Sequence, residues 1–93
     1  MTLNENNQTR TAQLLESIGA FDGSEDRLDR LQSQLQGAIS LFESDGSGVS
    51  EIVRLAEADV EAIRFTQVLE EQGEAVRRRM VLLSQGLERL LGE

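Results

Sequence analysis

Residues 49–91 read VSEIVRLAEADVEAIRFTQVLEEQGEAVRRRMVLLSQGLERLL. How this stretch is read decides the fold. Leu69, Gly73, Val76, Met80, Leu83, Leu87 and Leu90 recur at alternating spacings of four and three. That is the spacing of a heptad seam along one helix face. Upstream, Ile52, Leu55, Ala56, Val60 and Ile63 supply an apolar face. The two stripes do not share one heptad frame, so the seam drifts near Thr66 and Gln67. There is no Pro in the chain, and no residue here demands a break. The pattern predicts one helix over 49–91, about 65 Å long at about 1.5 Å per residue. Gly92 is its expected C-terminal cap.

A second seam runs through Leu28, Leu31, Leu35, Ala38 and Phe42, and predicts a helix over 24–43. Asp22 or Ser24 can cap it, with Glu25 and Asp26 in its first turn, where the helix dipole favours negative charge. Leu14, Ile18 and Phe21 mark a short helix over 9–20, and the polar residues 1–8 read as a disordered tail. The expected fold is therefore all-α: one domain, 1–93, an antiparallel coiled-coil-like hairpin of 24–43 against 49–91. The short N-terminal helix is an appendage, and the whole is part of an oligomeric bundle.

The oligomer is inferred from an apolar surplus. Val53, Phe65, Val68, Val81, Leu82 and Leu91 lie off the main stripe, and one antiparallel helix covers only one side. The alternative is that the N-terminal segment wraps the second side within the chain. On the first reading the partner-binding surface comprises Val76, Met80, Val81, Leu82, Leu83, Leu87, Leu90 and Leu91, with Arg77, Arg78 and Arg79 at its polar rim.

Residues 43–48, ESDGSG, resemble the first half of a calcium-binding EF-hand loop. Placing Gly48 at the loop's sixth position puts Glu43, Asp45 and Ser47 at the first, third and fifth. The twelfth position, which needs a bidentate Glu, is then Arg54, and no second loop of this kind occurs. The turn reading accounts for every residue: glycines for the reversal at 44–48, and Asp45, Ser47 or Ser50 as a helix cap. No calcium site, other metal or cofactor is expected. FDGSEDRLDRL and SDGSGVSEIVRL echo one another, but two turn-plus-helix starts do not make a repeat.

Composition narrows the function. The chain has 93 residues, 17 acids, nine bases and a net charge of −8. All nine bases are Arg, and His, Cys, Tyr and Trp are absent. Most general bases and nucleophiles are thus missing, so no enzyme is expected. Asp59 and Thr66 lie near the apolar stripe; a buried carboxylate there could be functional, but the expectation is a partly exposed seam position or a register device. Disulfides are impossible. Acidity disfavours nucleic acid as a partner, although an acidic chain can also mimic it. No segment is apolar enough to span a membrane and the N-terminus does not read as a cleavable signal, so a cytoplasmic location is expected, unless a signal-independent system exports the chain.

The C-terminal SQGLERLLGE, residues 84–93, resembles the ends of inner-rod subunits of bacterial type III secretion systems. The resemblance covers about ten residues. It implies a small helical subunit that assembles through its C-terminal helix. The chain also has the size of small secreted hairpins with a Trp-x-Gly turn, but lacks that Trp. The function expected is a non-enzymatic interaction module, self-assembling or acting as a subunit or adaptor of a larger assembly. The alternatives are a small component or chaperone of a bacterial secretion apparatus, and an acidic inhibitor that mimics nucleic acid.

Overall fold

The structure is a computed structural model that describes residues 2–92. It is all-helical. Four helices follow one another: α1 (Glu5–Gly19), α2 (Glu25–Leu41), α3 (Val49–Thr66) and α4 (Leu69–Leu91). Cross-helix contacts give their directions. Gln32 and Asp29 of α2 reach Arg64 of α3, while Gln36 reaches Glu57. Asp59 of α3 meets Arg79 of α4, and Ile52 approaches Gly86. In both pairs one number rises as the other falls, so α2–α3 and α3–α4 are antiparallel. α1 packs on both α2 and α4 and closes the bundle. The core draws on all four: Leu14 and Ile18, then Leu28, Leu31 and Leu35, then Val49, Val53, Ala56 and Val60, then Val76, Met80, Leu83 and Leu87.

The long helix expected over 49–91 is two helices. The chain leaves helical geometry at Gln67 and Val68, both extended, and turns back on itself. The break falls where the seam drifts. Val49, Val53, Ala56, Val60 and Ile63 form a four-three stripe that, carried forward, would reach the polar Gln67, Glu70 and Glu74. A straight helix would therefore expose one of its two stripes, whereas a reversal buries both. Gln72 secures the turn: its side-chain amide donates to the carbonyls of Arg64 (3.2 Å) and Gln67 (3.0 Å) at the end of α3. This reversal also turns Leu55 and Leu69, expected on the seams, outward, and takes Val53 inward.

The expected tail is structured across residues 2–8; residue 1 lies outside the described residues. Leu3 is buried. Asn4 caps α1, its side chain accepting from the Asn7 amide at 2.8 Å. The α1–α2 connection packs tightly on α4. A Cβ built on Gly73 would stand 1.9 Å from the Gly23 carbonyl oxygen, so backbone meets backbone there. The second side of α4 is thus covered by α1 from the same chain.

Candidate interaction surface

The residues expected to bind a partner divide into three groups. Val76, Met80, Leu83 and Leu87 lie in the core and are closed to any partner of the folded chain. Leu90 and Leu91 are half-buried and pack against that core. Val81 and Leu82 are exposed, Leu82 at 61%. The division follows from helix geometry, since successive residues point about 100° apart. On α4 one such step separates the α1 side from the α3 side. Val81 lines a groove with Ile18, Gly19 and Phe21 of the α1 end. Leu82 lies on the α3 side.

The α3–α4 register adds a neighbour that the sequence reading put on the seam. Asp59 pairs with Arg79 at 2.6 Å, and Ile52 lies against Gly86. One turn from Asp59 toward the start of α3 is Leu55, and one turn beyond Arg79 is Leu82. On this register the two leucines fall at the same level of the antiparallel pair, and both are more than half exposed. A second exposed group lies at the α3–α4 turn: Phe65, Val68 and Leu69. Leu82, Phe65 and Val68 already fell outside the stripes in the sequence, whereas Leu55 and Leu69 were expected on the seams and gave no such signal.

The arginine run is engaged piecemeal. Arg77 and Arg78 both reach Glu74, at 4.0 and 3.3 Å, and Arg79 holds Asp59. These are pairs fanned around a helix rather than one basic face. Asp59 is thereby a surface pair member, and the Thr66 hydroxyl donates to the Ala62 carbonyl of its own helix.

The glycine-rich loop after α2 is tied to the N-terminus. Asp45 accepts from the Asn4 backbone amide (2.9 Å), the Asn7 side-chain amide (2.7 Å) and the Ser47 backbone amide (2.9 Å). Asn7 is fully buried; it also donates to the Glu43 carbonyl and accepts from the Glu43 amide. The hydrogen bond from the Ser47 side chain, then those from the Asn4 and Ser47 backbone, hold the Asp45 carboxyl well below the usual carboxylate range, against a smaller opposing effect of burial. Gly46 and Gly48 take positive φ of 80° and 78°, and the Ser47 hydroxyl accepts from the Val49 amide at the start of α3. Among the described residues, no group of three or more acidic side chains is placed to hold a metal ion, and no helix is long and apolar enough to cross a membrane.

No family model, curated protein or solved structure matches the chain.

Proposed function

We propose that this protein is a non-enzymatic helical interaction module, which self-assembles or serves as a small subunit or adaptor of a larger assembly. The observation that carries this is the exposure of both Leu55 and Leu82, which the α3–α4 register places at one level of the pair. The chain has already buried its main stripes within one bundle, so these leucines are surplus to its own core. Exposed apolar side chains that cluster mark contact sites. The absence of His, Cys, Lys and Tyr from the sequence supports a role without catalysis.

Leu82→Asp tests this cleanly, because Leu82 is exposed and the folded chain tolerates a surface charge within about 0.5 kcal/mol. The variant should keep its helicity and melting temperature but lose association, read by light scattering and by capture of a partner. A wild-type chain that remains monomeric at high concentration and captures no partner overturns the proposal. A component or chaperone of a secretion apparatus is one form of this reading, resting on the resemblance of residues 84–93. The nucleic-acid mimic is weaker. A mimic needs carboxylates spaced like phosphates along one face, and here acids and arginines are interspersed along the helices, with Asp22, Asp29, Glu51, Asp59 and Glu74 paired.

A further inference from the structure

Phe65, Val68 and Leu69 crowd the turn that joins α3 to α4. Phe65 is 88% exposed, the most exposed large apolar side chain of the described residues, and Val68 and Leu69 are more than half exposed. An aromatic ring left in water at the end of a bundle is unexplained by folding, since it adds nothing to the core. Leu69 continues into a groove between the starts of α2 and α4. Its walls are Gly23, Leu28, Leu69 and Gly73, with Glu25, Glu70 and Glu74 around them. The two glycines let the backbones of the α1–α2 connection and α4 meet at the groove's floor.

Acids are in excess at this end. Glu25 and Asp26 open α2, and Glu70 and Glu71 open α4; Glu61 precedes Phe65 by one helical turn. None of these five acids has an ion-pair partner among the described residues. Of the arginines near this end, Arg27 pairs with Asp22, Arg64 with Asp29, and Arg77 and Arg78 with Glu74 at the groove itself, while Arg30 follows Asp26 by one helical turn. The dipoles of α2 and α4 account for acids in their first turns. They do not account for an apolar tip in the middle of them. Electrostatic complementarity then selects the occupant.

We infer that the α3–α4 turn and the adjoining groove dock an apolar, helical segment of a partner protein that is flanked by Lys or Arg. Phe65 is the anchor, Val68 and Leu69 extend the apolar contact, and Glu61, Glu25, Glu70 and Glu71 meet the basic flanks. This rests on the reading of the protein as an interaction module, but uses a surface separate from Leu55 and Leu82. A second copy of this chain fits poorly, because its own acidic end would repel. An anionic membrane is repelled for the same reason.

The probe is a synthetic amphipathic helix with one leucine face and one lysine face, about 18 residues long. Added to the full chain, it should shift the backbone amide resonances of Phe65, Val68, Leu69, Glu70 and Gly73, and bind more weakly as salt rises. Phe65→Ser should weaken binding at least about tenfold, the scale of an aromatic anchor, with an unchanged melting temperature. Leu82→Asp should bind as the wild type does, which separates failure here from failure at the α3–α4 face. Five results would each overturn the inference: equal binding of a leucine–glutamate helix, equal binding of a lysine–serine peptide of the same charge, shifts mapping away from the turn, no binding at all, and self-association of the chain abolished by Phe65→Ser.

Discussion

Thr11 sits midway along the inner face of α1, fully buried, and its hydroxyl has no hydrogen-bond partner. An enclosed hydroxyl without a partner costs about 1–3 kcal/mol relative to an apolar group of the same shape. Val has that shape and nearly the same helix propensity. Thr11→Val should therefore raise stability by about 1 kcal/mol, read as a higher urea midpoint with an unchanged slope. Glycines separate in the same way. Gly37 lies in α2 with open space around it, so Gly37→Ala should stabilise by up to about 1 kcal/mol through propensity alone. Gly73 enjoys the same propensity gain, but its Cβ would strike the Gly23 carbonyl. Backbone cannot swing aside as a side chain does, so Gly73→Ala should destabilise by about 1–3 kcal/mol. Thermal melts of the two variants, one up and one down, check the contact.

At the scale of elements, the N-terminal turn of α1 and the loop before α3 form one hydrogen-bonded unit around Asn7 and Asp45. Asp45 has a lowered folded pKa. Its contribution is fully present above the unfolded value of about 3.9 and drains away as pH falls below it, because protonation then favours the unfolded chain. The stability gap between wild type and Asp45→Asn should be widest at neutral pH and narrow steadily below about pH 4; a gap independent of pH contradicts the arrangement. The same bonds bear on calcium. The Asp45 oxygens already accept from three amides, which a cation would have to displace. Titration with calcium should leave the Asn4, Asn7 and Ser47 resonances unmoved in the sensor range, at or below about 10⁻⁵ M.

For the whole molecule, the reversal at Gln67 and Val68 governs shape. The bundle measures 38 × 19 × 18 Å, with a Cα radius of gyration of 12.9 Å. A compact domain of this length should show about 12 Å, while one continuous helix over 49–91 would alone extend about 65 Å. Small-angle scattering at low concentration should return a radius near the compact value; a rod-like profile would restore the single long helix.

The helical content, the loop at 44–48 and most of the inward faces were legible in the residues. Leu28, Leu31 and Leu35, and Val76, Met80, Leu83 and Leu87, reach the core as their four-three spacing requires, because periodicity records which side of a helix is apolar. Periodicity does not record what covers that side. Val49, Val53, Ala56 and Val60 formed a stripe as regular as any other, yet the larger Leu55 competed with it, and only packing turned one inward. The turn at Gln67 carried no Pro or Gly to announce it; its cause is two stripes that a straight helix cannot bury together. Asn7 looked like part of a polar tail because its partners, Glu43 and Asp45, lie far along the chain. For the same reason Leu83 and Leu87, expected to face a partner, lie in the chain's own core, while Val81 and Leu82 are exposed. Local spacing sets which faces are apolar, and the free energy of burying all of them at once sets where the chain reverses and which faces stay open to a partner.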